Sequence, residues 1–510
     1  MNSISFARYP HTRQSAWLFA WLCFVLIGTC FASCGHAGEE GDRESHKEPP
    51  NVLFVFIDDM GWRDVGFMGS DFYETPHLDA LAQQSLVFSN AYSCSANCAP
   101  ARACLFSGQY TPRHKMYNVG TKPRGKSQFR RLEHIAGVDV LDRQNRTTWS
   151  ELFQKAGYVT ATMGKWHLSQ DPKPYGFDIN IGGSHSGSPP KGYYAPHPNA
   201  PGLGNAPADE YLTDRLSDEA CSFIEKNKDR RWMLYLTHFA VHTPIQAKRE
   251  LLKKYQDKRP GKLHDNAAMG TMVQAVDDGV GKIMETLKSN DLLDNTVIVF
   301  FSDNGGYGGG TDMAPLRGHK GTYYEGGIRV PFFIYWPGKI AAGRTDEPMI
   351  GVDLYPTLCE IAGLELPKNQ VFDGVSLLPY ATGKTKKVSS EPRSLFWHFP
   401  AYLQSTNRRD LYDEQRDPIF RTRPCSVIRK GNWKLIQFFE SGDLELYDLN
   451  QDISESMNLA AKKPELVKTL FAELQQWQQD TGADIPVKLN PEFDAKQEKQ
   501  KIQQLLGKKK

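Results

Sequence analysis

Asn51-Val52-Leu53-Phe54-Val55-Phe56-Ile57-Asp58-Asp59 is an apolar run that ends abruptly in two acids. A strand with one wet face would alternate apolar and polar residues. This one does not, so both of its faces must be covered, as in a parallel sheet with helices on either side. Similar runs recur at Trp232 to Thr237, Thr296 to Phe301 and Val330 to Trp336, and are read in the same way. Helical patterns lie between them. Thr75-Pro76 looks like a cap followed by proline in the first turn, leading into Leu78, Leu81 and Ala82. Leu212, Leu216, Ala220, Phe223 and Ile224 form one apolar stripe, and Met272, Val273, Val276, Val280, Ile283, Met284 and Leu287 form another. Strands alternating with helices predict an α/β/α sandwich around a large, mainly parallel sheet.

The pattern changes after about residue 390. Leu395 to Phe399, Cys425 to Arg429, Trp433 to Phe438 and Leu444 to Leu449 are short strand-like pieces, with Lys430-Gly431-Asn432 as a hairpin turn. Leu466, Leu470, Phe471, Leu474 and Trp477 then mark an amphipathic helix over Pro464 to Thr481. A smaller antiparallel sheet with a covering helix is predicted. The expected organisation is a leader at 1–37, a linker at 38–50, a catalytic domain at 51–390, a C-terminal subdomain at 391–485 and a polar tail at 486–510. Asn490 to Lys510 is expected to be frayed.

The leader has three readings. Arg8, His11 and Arg13 precede an apolar stretch from Trp17 to Ala32, and Gly35-His36-Ala37 offers small residues for cleavage. That describes a secretory signal peptide. Phe31-Ala32-Ser33-Cys34 resembles a lipoprotein box, which would put lipid on Cys34. The uncharged stretch is also long enough to span a bilayer as an uncleaved anchor. Each reading takes the chain out of the cytoplasm, and a membrane partner follows only from lipidation or anchoring. A net charge of +2 over 510 residues argues against a dedicated nucleic-acid binder. Beyond the leader, Cys94, Cys98, Cys104, Cys221, Cys359 and Cys425 do not reveal a disulfide framework.

Acids at strand ends usually form turns and caps. Here Asp58-Asp59 and Asp303-Asn304 follow two strands of one expected sheet, where ligands of open α/β sheets bind. Four oxygen donors at equivalent strand ends suit a hard divalent cation better than zinc. Cys98-Ala99-Pro100-Ala101-Arg102 adds a thiol two residues before a proline suited to the first turn of a helix. The N–H groups and dipole of that helix would favour an anion, and Arg102, one turn on, offers a two-pronged donor to an oxyanion.

These blocks together resemble the type I sulfatases of the alkaline phosphatase superfamily. The resemblance runs through Asp58-Asp59-Met60-Gly61-Trp62, Thr75-Pro76-His77-Leu78-Asp79, Cys98 to Gly108, Gly164-Lys165-Trp166-His167-Leu168, Phe301 to Gly305, Gly318 to Arg329 and Asp353 to Leu358. Trp433-Lys434-Leu435 and Glu445 to Leu449 resemble the family's small domain. The resemblance implies a sulfuric ester hydrolase in which Cys98 is oxidised to formylglycine by a formylglycine-generating enzyme. It also implies one Ca²⁺ held by Asp58, Asp59, Asp303, Asn304 and the modified residue 98. Lys165 and His167, two apart on a segment taken as extended, would flank the nucleophile from one face. His242 and Lys320 would serve the leaving group, and His167 would take the proton that lets sulfate depart. Ser184 is a weaker match, while Arg317, His319 and His398 are candidate substrate contacts.

Alanine at position 101 departs from the serine common in the family, but the Cys-x-Pro-x-Arg core is intact. Carbohydrate sulfate is the expected substrate class, with contacts from the loops Arg113 to Arg143, Gly182 to Pro207 and Phe396 to Arg423. Two other readings stay open. One is a phosphonate or phosphate ester hydrolase of the same superfamily, and the other is a catalytically inactive binding relative.

Overall fold

The Asn51–Ile57 strand lies inside the main sheet, and its alternate residues enter two different cores. Leu53, Val55 and Ile57 pack with residues of the helices Pro76–Ala82, Leu212–Lys226 and Ala267–Ser289. Val52, Phe54 and Phe56 pack on the other face with residues of Cys98–Ser107, Trp149–Lys155 and Leu354–Ile361. The unbroken apolar run is thus the sequence of a strand covered on both sides. These contacts come from a computed structural model that describes residues 49–404 and 418–507. The three leader readings, including that of Cys34, fall outside the described residues.

The sheet has eight strands, in the order Ile179–Ile181, Val159–Gly164, Trp232–His238, Asn51–Ile57, Thr296–Ser302, Phe332–Tyr335, Leu86–Phe88 and Gly343–Thr345. The first five are mutually parallel. Phe332–Tyr335 corrects one expectation, because it runs antiparallel to Thr296–Ser302. A parallel return needs a crossover, usually a helix of several turns. The segment between these strands contains only the four-residue helix Glu325–Ile328.

Ser394–Phe399, Cys425–Lys430, Trp433–Phe438 and Leu444–Asp448 form a separate four-stranded antiparallel sheet. Lys430 pairs with Trp433 across a two-residue turn, and Gly431 sits at φ +57°, a conformation that glycine adopts at no steric cost. The helix Pro464–Thr481 covers this sheet through Leu470, Leu474 and Trp477. The indole of Trp397 donates to the Ser93 carbonyl at 2.8 Å, so this layer is fastened close to the segment that carries Cys98. The described residues from Pro49 onward form one compact unit.

The end of the chain also departs from expectation. Ala495–Gly507 is a helix, not a frayed tail. Glu498 explains why: it is buried and takes Arg131 at 2.9 Å and Arg423 at 2.8 Å. Its partners are far away in sequence, so the local polar composition gave no sign of them.

Candidate active site

Strand register builds the centre. Ile57 is paired with Ser302 in parallel, so Asp58 and Asp303 leave the sheet side by side. The Asp59 N–H donates to Asp303 Oδ1 at 3.1 Å, and Asp303 N–H donates to the Ile57 carbonyl at 3.2 Å. Asp59 sits at φ +61°, a left-handed turn that brings two consecutive acids to one place. The Asn304 amide donates to Asp59 Oδ1 at 2.8 Å. All four side chains are buried.

Cys98 is the first residue of the helix Cys98–Ser107. Ligating atoms of Asp58, Cys98 and Asp303 lie within 4.8 Å of one another. Burial, opposed by Lys165 and Lys320, pushes the Cys98 thiol up from its ordinary range.

Arg102 does not do what its position suggested. Its Nε and Nη2 donate to Asp303 Oδ2 at 3.2 and 3.0 Å. Its Nη1 donates to the Lys165 carbonyl and to Thr237 Oγ1, both at 2.7 Å. The guanidinium also lies over the Phe56 ring, 4.9 Å from its centroid. With four of its five N–H donors committed and Nη2 also 4.0 Å from Asp58 Oδ1, Arg102 holds Asp303 and the Lys165 backbone in place and is not a free fork for an oxyanion. Thr237 is the residue that sequence reading missed. Its signal was a threonine directly after the mostly apolar run Trp232 to Leu236.

Two lysines face the acids. Lys165, fully buried, donates to Asp58 Oδ2 at 2.6 Å. Lys320 Nζ lies 2.7 Å from Asp59 Oδ1. Burial pushes the Asp58 carboxyl well above its usual range, with Asp303 adding to the effect. Burial acts on Asp59 in the same direction, but Lys320 and then His242 outweigh it and hold that carboxyl low. Burial would lower the Lys320 ammonium, yet Asp59 and its neighbours keep it charged.

His242 Nδ1 donates to the Thr243 carbonyl at 2.7 Å, which leaves Nε2 bare and 3.8 Å from Asp59 Oδ2. Burial, with Lys320 second, lowers this imidazole to about 3. His167 is more deeply buried and is pushed well below its ordinary value by burial and then Lys165. Lys165 and His167 are not on one extended segment, because His167 has φ +66° and the chain turns there. Its backbone N–H donates to the Ser184 carbonyl at 2.9 Å, so Ser184 meets His167 through the main chain. The Ser184 hydroxyl accepts from Ser186 N–H at 3.2 Å.

The arrangement fits a hard cation. Asp58 Oδ1 and Asn304 Oδ1 are buried without a hydrogen-bond partner among the described residues. Both belong to the set of oxygen donors at the two strand ends. A buried carboxylate oxygen and a buried amide oxygen without hydrogen-bond partners are each costly unless a cation accepts their lone pairs.

The outer candidates divide. His398 is 1% exposed, with Nδ1 2.7 Å from Ser426 Oγ and Nε2 donating to the Asp484 carbonyl at 3.1 Å. It is a buried packing residue on the Ser394–Phe399 strand of the C-terminal sheet, which corrects the expectation of a substrate contact. Arg317 donates to Tyr447 Oη and the Glu455 carbonyl, both at 3.1 Å, and covers the Tyr324 ring, so it faces the C-terminal layer. His319 is buried beside Gly308 in the loop that carries Lys320, its Nδ1 3.1 Å from the Lys320 carbonyl.

His398 predicts a pH effect on stability. Burial lowers its imidazole to about 4. Above pH ~6.5 it is neutral in both folded and unfolded chains. As pH falls from ~6.5 towards 4, only the unfolded chain takes up the proton, and about 3 kcal/mol is lost across that window. His398→Gln should lower the melting temperature at pH 7 but make its fall between pH 7 and 5 shallower. Parallel profiles for the two proteins would refute this, and a selective loss on sugar substrates would restore the binding role.

Residues 50–364 match the family model described as Sulfatase, and residues 319–480 match that described as N-sulphoglucosamine sulphohydrolase, C-terminal. Over 494 residues the chain is 31% identical to a "Sulfatase" of Formosa agariphila, covering 83% of this chain and 86% of that one. The N-acetylgalactosamine-6-sulfatase of Homo sapiens is 32% identical over 364 residues, 65% of this chain and 66% of the human one. The crystal structure of Ps i-CgsB in complex with k-i-k-neocarrahexaose has a TM-score of 0.68 and 29% identity, covering 88% of this chain and 96% of that one.

Proposed function

This chain belongs to the sulfatase family, and from that premise we propose that it removes sulfate from carbohydrate sulfate esters using formylglycine at position 98 and one Ca²⁺. The observation that carries the reading is the convergence of Asp58, Asp303 and Cys98 within 4.8 Å at the head of a helix. Lys165 and Lys320 stand beside the same acids. Support for the carbohydrate class comes from the similarity to N-acetylgalactosamine-6-sulfatase and to the neocarrahexaose-bound Ps i-CgsB.

Asp58, Asp59, Asp303 and Asn304 would hold the cation, which would supply positive charge to the sulfate oxygens. Formylglycine, once made from Cys98 by the modifying enzyme, would supply a hydrated aldehyde as the nucleophile. The chain's own residues do the rest. Lys165 and Lys320 are fixed positive charges in a buried site, where they stabilise developing negative charge strongly. Arg102 keeps Asp303 and the Lys165 backbone from moving. Lys320, held protonated beside Asp59, would give the leaving alcohol its proton, while His242, neutral with an unprotonated Nε2 3.8 Å from that carboxylate, would accept a hydrogen bond beside it. His167 takes the proton whose removal frees sulfate, its ring fixed by the left-handed turn and confined by Gly187, where an added Cβ would sit 2.4 Å from its Cε1.

Export of the chain, by any of the three leader readings, belongs to the same proposal. No helix among the described residues is long and apolar enough to cross a membrane.

The test is release of inorganic sulfate by full-length protein co-produced with a formylglycine-generating enzyme. Sulfated galactans, glycosaminoglycan fragments, an aryl sulfate and an aryl phosphate diester form the panel. Sulfate release from a carbohydrate is expected. Faster turnover of the phosphate diester would favour the phosphonate hydrolase reading, and inactivity throughout would favour the binding relative.

A further inference from the structure

The loop that carries Lys320 is pinned on two sides. On its inner edge Lys320 N–H donates to the Gly306 carbonyl at 2.9 Å, and Gly321 N–H donates to the Ala96 carbonyl at 2.8 Å. Those bonds tie the loop to the segment after Asn304 and the segment before Cys98. On its outer edge both ends of the loop meet one residue of the C-terminal layer, Glu455. The Glu455 carbonyl accepts from Arg317 Nη1 at 3.1 Å, and Glu455 Oε2 accepts from Glu325 N–H at 2.6 Å.

Lys434, on the second hairpin strand of the C-terminal sheet, locks this contact. Its Nζ lies 2.8 Å from Glu455 Oε1 and 3.0 Å from Glu325 Oε1. The other oxygen of Glu325 accepts from Tyr92 Oη at 2.6 Å and faces Arg329 at 3.4 Å. Glu325, Lys434 and Glu455 are all fully buried. Glu455 is also held at φ +50°, in the left-handed region that a glutamate rarely adopts.

A buried ion triad is a poor source of stability, since desolvation offsets most of the attraction. A strained backbone adds a further cost. The fold accepts both at the residue that bridges Arg317 and Glu325, five positions apart from Lys320 or fewer. We propose that Glu455 is a positioning residue for Lys320. From the C-terminal layer it fixes both ends of the catalytic loop, so that the Lys320 ammonium stays beside Asp59. The inference rests on the functional reading of Lys320 given above.

The experiment is a double-mutant cycle on full-length, formylglycine-bearing protein with an aryl sulfate, which needs no contacts beyond the sulfate pocket. Glu455→Gln keeps an oxygen acceptor for Glu325 N–H but replaces the carboxyl that meets Lys434 with a neutral amide; burial raises that carboxyl to about 7, so the comparison is made above pH ~8, where it is ionised. It should lower kcat about 10- to 100-fold, with KM changed less than about threefold. Glu455→Ala should lose at least as much. In a Lys320→Ala background the Glu455→Gln loss should shrink below about twofold, because a residue that acts through Lys320 has nothing left to position. Independent, multiplying losses would overturn the proposal. So would a loss that follows the melting temperature, or failure of both variants to fold, since each makes Glu455 merely structural. Wild-type protein inactive on every sulfate ester would instead defeat the functional reading itself.

Discussion

Cys98→Ala should reduce sulfate ester hydrolysis by about 10⁵- to 10⁶-fold, as expected for removal of a nucleophile that works as part of a unit. The fold should survive. Cys98 is buried at the first position of a helix, followed by Ala99 and Ala101, and its thiol forms no disulfide among the described residues. Alanine removes one sulfur atom without breaking a fixed network. The melting temperature should therefore stay within a few degrees of the wild type. Cys98→Ser separates chemistry from geometry. A serine at this place could be sulfated once, but release would then require water to attack sulfur, so turnover should stop after a stoichiometric event. Substantial multiple turnover by Cys98→Ala would mean that the nucleophile lies elsewhere.

Asp303→Asn should be the second most damaging change, costing about 10³-fold in kcat/KM together with the response to calcium. Asp303 has two tasks. It is one of the oxygen donors proposed for the cation, and it accepts both Nε and Nη2 of the fully buried Arg102. Asparagine keeps an oxygen but loses the charge that both tasks use. Removing one partner of a buried ion pair typically costs about 3–5 kcal/mol, so a lower melting temperature should accompany the lost activity. Calcium titration distinguishes the two contributions. Ca²⁺ should raise the melting temperature of metal-depleted wild-type protein, since a ligand that binds only the folded state stabilises it. It should not raise that of Asp303→Asn to the same extent. Two zinc ions per wild-type chain, with no response to calcium, would contradict the assignment.

The parts of this molecule that were readable in advance are those whose information is local. Asn51 to Ile57 declares a doubly covered strand because every side chain in it must be buried. Asp58, Asp59, Asp303 and Asn304 were readable because each pair directly follows such a strand, and register does the rest. Direction was less readable. Val330 to Trp336 has the same composition as the parallel strands and runs the other way, because its connection lacks a crossover helix.

Side-chain partners were the least readable. Arg102 was expected to reach outward, but a carboxylate, a carbonyl and a hydroxyl from three other segments take its donors. His398 sits in an aromatic-rich stretch that suits a sugar ring, yet the sheet turns it towards Ser426 and Asp484. Glu455 carried no local signal, because its contacts to Arg317, Glu325 and Lys434 exist only once the two layers meet. Polar residues at long sequence separation acquire meaning from packing, and packing is the information that a single chain of letters holds least openly.

The central claim is that a modified Cys98 performs the chemistry. The most direct measurement compares preparations that differ only in how much of position 98 has been converted from thiol to aldehyde. Peptide mass spectrometry gives the fraction converted, and sulfate release from a single sulfated carbohydrate gives the activity of the same sample. Activity should rise in proportion to that fraction and extrapolate to zero when none is converted. Full activity in a preparation whose Cys98 is still a thiol would contradict the account.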